Sequence, residues 1–146
     1  MADMMSTPRI RRAVLLTSLS ALMAFAAPPL RAADRMMAGQ YQYTMTTEGK
    51  TQTSTRCITA DEAKSVNGDA KAGREYMNKA AKGACTVSAY DVTGNTVSCT
   101  MVCGPSVVRA ATATYHGDSF EGDVTTTAGG KSHTAHTKGK RIGACK

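Results

Sequence analysis

Four short turn signals, each set between strand-like runs, constrain this chain more than any other feature. They are Glu48-Gly49-Lys50, Thr93-Gly94-Asn95, His116-Gly117-Asp118 and Ala128-Gly129-Gly130. Glycine-containing turns at such spacing are the pattern of consecutive antiparallel hairpins. The runs between them carry most of the eighteen threonines found in residues 34–146, and threonine is a β-branched residue favoured in strands. Strands are expected near 39–47, 51–59, 86–92, 96–103, 107–116, 119–127 and 132–142. The fold class is therefore mainly β: an antiparallel up-and-down meander of about seven strands, forming a curled sheet or partial barrel.

Side-chain alternation gives the faces. Tyr41, Tyr43 and Met45 share one side of the first strand, with Gln40, Gln42 and Thr44 on the other. Val97, Cys99, Met101 and Cys103 do the same in the fourth, and a two-residue turn at Gly94-Asn95 sets Tyr90 and Val92 beside Cys99 and Val97. Phe120 and Val124 make a thinner stripe in the sixth. A short helical insertion separates strands 2 and 3. Thr59-Ala60-Asp61-Glu62 fits a capping box, Asn67-Gly68 ends that helix, and a second helix is expected from about Asp69 to Lys82, stopped by Gly83. Tyr76, Met77 and Ala80 fall on one face of it, suited to covering the open side of the sheet.

Residues 1–33 read as an export signal. Arg9, Arg11 and Arg12 precede an apolar run from Ala13 to Ala27, which Pro28-Pro29 breaks before Ala32-Ala33. Cleavage near Ala32 or Ala33 would leave residues 34–146 as a single disulfide-stabilised β domain in the periplasm or secreted. No apolar run reaches the length of about 18 residues that a membrane span needs. The whole chain has a formal net charge of +7, but residues 34–146 hold 14 basic against 10 acidic side chains. That excess is spread out, without the dense basic, aromatic-bearing face of a nucleic-acid binder.

Five cysteines in an exported chain with few large aliphatic residues read as staples for a thin core. Cys57 ends the second strand and Cys85 starts the third, so one bridge could clamp both ends of the insertion. Cys103 and Cys145 end the fourth and seventh strands and could form the second. Five cysteines allow other pairings, and these stay open. Cys99 is left as a free thiol, a small buried hydrophobe between Val97 and Met101 rather than a redox group.

Histidine offers weak metal candidates in His116, His133 and His136, with Met36-Met37 as soft ligands. Residues three apart on a strand face opposite sides, however, so His133 and His136 do not converge without a bend. Asp118, Glu121 and Asp123 cluster at one hairpin but read as a solvated face. Ser106, Ser119 and Ser132 have no nucleophile-elbow context and no phosphate loop occurs. No catalytic residue and no cofactor are expected, and the chain does not read as an enzyme.

Five segments stand out together: Gly39-Gln40-Tyr41-Gln42-Tyr43, Arg56-Cys57-Ile58-Thr59, the block from Gly83 to Cys103, the Tyr115 to Gly122 hairpin, and Gly139-Lys140-Arg141-Ile142-Gly143-Ala144-Cys145. In this order and spacing they resemble the bacterial family called domain of unknown function 3617. The resemblance covers essentially all of residues 34–146. It implies an exported protein with cysteines at Cys57, Cys85, Cys103 and Cys145, to which Cys99 is an addition. Relatives often have methionine where this chain has Thr44, Thr125, Thr126 and Thr127, which weakens any metal role borrowed from them. The family brings no activity.

Three functions then compete. The leading one is a non-enzymatic periplasmic binding or envelope-associated protein, with a small apolar ligand or an envelope protein as partner. Tyr41, Tyr43, Tyr90, Met101 and Phe120 would line its pocket. The second is a periplasmic copper- or zinc-handling protein. The third is a protein inhibitor of a secreted enzyme, similar to small disulfide-linked β-barrel inhibitors of lysozyme, against which the basic charge balance argues when the target is strongly basic.

Overall fold

The computed structural model describes residues 34–146, so the export-signal reading of residues 1–33 lies outside the described residues. Seven strands and two helices follow in chain order: β1 (Gly39–Thr47), β2 (Lys50–Ile58), α1 (Ala60–Asn67), α2 (Ala70–Ala80), β3 (Thr86–Thr93), β4 (Thr96–Cys103), β5 (Val107–Tyr115), β6 (Ser119–Ala128) and β7 (Lys131–Gly143). Each strand lies within one residue of its expected limits. The reason is local: alternation and turn glycines set where a strand stops, and Gly49, Gly94, Gly117, Gly129 and Gly130 all take the positive φ that such turns demand.

The order of strands across the sheet departs from the simple meander. It runs β2-β1-β7-β6-β5-β4-β3, with every pair antiparallel. The helical insertion removes the hairpin that would have joined β2 to β3, so both become edges. The second side of β1 is instead taken by β7, from Gln40↔Gly143 to Thr47↔Ala135, which satisfies the backbone groups β1 would otherwise leave unpaired. The result is one open sheet, neither closed nor curled into the partial barrel expected.

Register carries one face across all seven strands. Tyr43 lies opposite Ser54 and Gly139, Gly139 opposite Phe120, and Phe120 opposite Tyr115. Four residues along, Val124 lies opposite Ala111, Ala111 opposite Cys99, and Cys99 opposite Tyr90. The expected placement of Tyr90 and Val92 beside Cys99 and Val97 is met. The other face is a lattice of cross-strand hydroxyl pairs, among them Thr96–Thr114 at 2.9 Å, Ser98–Thr112 at 3.1 Å and Thr125–Thr134 at 2.9 Å. The threonines thus do two things: they favour extended backbone, and they make one side of the sheet polar.

The helices cover only one end of the apolar face. α1 opens on the expected capping box, in which Thr59 and Glu62 satisfy each other's backbone amides. α2 is capped by Asp69, whose carboxylate accepts from the Ala72 amide at 2.8 Å. It packs closely because residue 73 is glycine: a β-carbon there would run into the Tyr90 ring. Met36, Tyr41, Ile58 and Ala63 form a buried cluster at this end, with Tyr43, Val66, Tyr115 and Phe120 against it. Among the described residues only Val87, Val97 and Cys99 add further buried hydrophobic side chains.

The disulfides join Cys57 to Cys145 and Cys85 to Cys103, not Cys57 to Cys85 and Cys103 to Cys145. Register explains the correction. Gln40 pairs with both Cys57 and Gly143, so β1 brings the end of β2 near the last residues. Thr86 pairs with Val102, so Cys85 and Cys103 sit side by side at the open end of the β3–β4 hairpin. Cys99 is the free cysteine, and it is buried as expected. Among the described residues no helix is long and apolar enough to cross a membrane.

Candidate functional site

Beside the buried cluster the apolar face opens into a hollow of about 380 Å3, and every strand and both helices contribute to its lining. Such a volume falls within the roughly 300–1,000 Å3 usual for ligand sites. Its floor is made by small or slender side chains, Ala111, Ala113, Val97 and Val124, while Met36, Val66 and Met77 close the helix end. Tyr43, Arg56, Phe120, Val124 and Thr137 are shared with a second hollow of about 680 Å3, which reaches outward to Met45 and Gln52. Val124 also lines a third, of about 330 Å3, bordered by Met45, Thr47, Thr126 and Arg109. The three share lining residues and make one trough along the sheet, covered by the helices at one end, where the Arg56–Glu62 ion pair also lines it. Met45, on its floor, is 46% exposed.

Aromatic rings form the wall between core and trough. Phe120 packs edge-on against Tyr43 with ring centroids 5.3 Å apart, and tilted against Tyr115 at 5.6 Å and Tyr41 at 6.3 Å. Burial raises the hydroxyl pKa of Tyr41, Tyr43 and Tyr90, and pushes Tyr115 up to about 12. The phenols therefore stay neutral and the wall stays uncharged. Burial also pushes the Cys99 thiol up, offset in part by Arg74. A thiol held protonated in this way is a poor nucleophile.

Of the five residues expected to line a pocket, Tyr43, Tyr90 and Phe120 do so. Tyr41 is wholly buried instead, its hydroxyl donating to the carbonyls of Met37 at 2.8 Å and Gly117 at 3.2 Å. Met101 shares the apolar face but lies opposite Val87 and Arg109, outside the main hollow. Sequence reasoning passed over Tyr115, Ala111, Ala113 and Arg109. The hairpin register of β5 with β6 contains that signal, since Tyr115 faces Phe120 and Ala111 faces Val124.

The metal candidates do not converge. His133 Nδ1 lies 3.2 Å from Glu48, and His136 Nδ1 lies 2.9 Å from Asp123 on the opposite face. Among the described residues no group of three or more His, Cys, Asp or Glu could hold a metal ion. His116 borders a different surface depression. Met36, expected as a soft ligand, is buried in the core and is bracketed by Asn67, which accepts from its amide at 2.8 Å and donates to its carbonyl at 2.9 Å. The carboxylates near the β5–β6 turn are occupied by cations. Asp118 meets Lys140 at 2.6 Å, which draws its carboxyl below the usual range, and Glu121 meets Lys138 at 3.7 Å.

Residues 36–145 match the family described as protein of unknown function (DUF3617), and the chain belongs to it. No curated protein and no solved structure matches it.

Proposed function

We propose that this member of the DUF3617 family is a non-enzymatic binding protein of the bacterial envelope, holding a small apolar ligand in the trough. One observation carries the reading. The sheet has a continuous apolar face, yet the chain's own helices cover only one end, leaving Met45, Val124 and Ala111 over an open hollow. Exposed apolar surface of this kind commonly marks a binding site. Two disulfides and the signal-like start of the sequence favour an oxidising compartment. The non-enzymatic part rests on Asp118, Glu121 and Asp123, which meet Lys140, Lys138 and His136 away from the hollow, on Glu62, which is paired with Arg56 at its edge, and on the protonated thiol.

Native mass spectrometry of the protein purified from its cells tests this directly. A reproducible adduct on the wild type is expected, together with its loss in Ala111→Phe, which fills the floor of the hollow. The same adduct should persist in Thr112→Val, on the hydroxyl face. A bare wild-type mass, or an adduct indifferent to Ala111→Phe, would count against a ligand in the trough.

A further inference from the structure

The trough is chemically asymmetric from end to end. Its covered end, under the helices, presents Met36, Val66 and Met77, and the cation there, Arg56, is neutralised by Glu62. Its open end presents Thr47, Thr126 and Arg109. From Tyr115, at the covered end of β5, to Arg109 is six residues of strand, about 20 Å. An elongated, largely apolar groove whose unpaired cation stands at the far rim has the polarity of a single-chain amphiphile.

Arg109 differs from the other described arginines. Arg35 donates to the carbonyls of Val66 and Gly94, Arg74 to that of Ser88 and Arg141 to that of Ala38, while Arg56 pairs with the Glu62 carboxylate. Among the described residues Arg109 has neither a carbonyl nor a carboxylate partner. The nearby rim histidine, His133, is matched with Glu48. One guanidinium therefore stands on the apolar face without a counter-charge. A guanidinium pairs a carboxylate in a planar, two-pronged way, and one cation matches the single negative charge of a carboxylate.

We infer that the trough binds a fatty acid, its chain running under the helices and its carboxylate meeting Arg109. The inference rests on the binding reading above and gives the ligand a class and a direction. The test compares two probes that differ only in charge, dansylated undecanoic acid and its methyl ester, titrated by fluorescence into delipidated, disulfide-intact protein. The acid should bind the wild type about tenfold more tightly than the ester, a margin of about 1.4 kcal/mol. Arg109→Gln should remove that margin and leave the ester unchanged, and added salt should narrow it because the rim is exposed. Arg109 is exposed, so the variant should keep the wild-type melting temperature.

Equal affinity of the wild type for both probes would overturn the fatty-acid inference while leaving an apolar ligand in place. So would a parallel loss of both probes in Arg109→Gln at unchanged melting temperature, or a phospholipid as the native adduct. If neither probe binds, or the native mass is that of a bare dimer, the binding reading falls with it, and a second copy becomes the cover for the face.

Discussion

The ring of Phe120 lies over Gly139, its cross-strand partner on β7, so closely that a β-carbon at position 139 would collide with it. The glycine lets the ring lie down on the sheet and reach Tyr43 and Tyr115 on either side. Gly139→Ala should therefore destabilise the fold by about 2 kcal/mol through overpacking, read as a drop of several degrees in melting temperature. Adding Phe120→Leu should recover part of that loss in a double-mutant cycle. Additive losses would mean that the two residues do not act through each other.

The two disulfides close loops of different length, 88 and 18 residues. On loop entropy alone they stabilise by about 4.6 and about 3.2 kcal/mol. Urea denaturation should accordingly find Cys57→Ser/Cys145→Ser weaker than Cys85→Ser/Cys103→Ser. Thiol labelling of the unreduced, unfolded wild type should count one group, Cys99. Peptide mapping that joined Cys57 to Cys85 would contradict the sheet order as well as the pairing.

Tyr115 predicts an alkaline limit to stability. Burial, reinforced by Tyr90 and Tyr43, raises its hydroxyl from the ordinary 10.0 to about 12. The folded state therefore holds this proton more tightly than the unfolded one. Its contribution is complete below pH 10 and is lost as the pH rises toward 12. Denaturation midpoints followed across that interval should fall, and Tyr115→Phe should flatten the fall. Phenolate absorbance should show the residue ionising last, or only on unfolding.

Arg35 fastens the segment before β1 to the helix end of the sheet. Its guanidinium donates to the Val66 carbonyl at 2.7 Å, to Gly68, and to the β3–β4 turn at Gly94 at 3.2 Å. The neighbouring backbone bridges Gly117 at Met36 and Met37. Arg35→Ala should cost about 2 kcal/mol, as for hydrogen bonds to a charged group. Hydrogen exchange should increase first at residues 36–38 and in the α1–α2 turn. Protection unchanged there would show that Met36 alone anchors the strap.

Local features were legible in the sequence. Alternation placed Tyr43 and Cys99 on the apolar side, and Thr59 and Asp69 marked both helix starts. The partnership of β1 with β7 was not, because no turn announces a pairing between residues such as Tyr41 and Arg141 at opposite ends of the domain. The disulfide pairing inherited that error. Sequence order sets Cys57 against the next cysteine, Cys85, although its neighbour in space, Cys145, arrives with the last strand. The site was half legible for a related reason. Tyr43, Tyr90 and Phe120 stand out by size, whereas Ala111 and Arg109 matter for what lies across the strand from them.

The late arrival of β7 also bears on how the chain acquires its structure. The Arg141–Ala38 bond spans 103 positions, and one side of β1 has no partner until the final strand is available. Contacts of such separation slow folding, because the loop must be closed before it is rewarded. A nascent chain that lacked the thirteen residues of β7, Lys131–Gly143, would display two further raw edges, β1 and β6, instead of a finished sheet. Synthesis of β7, the last strand of the sheet, thus serves as the timer for folding, a delay set by topology alone.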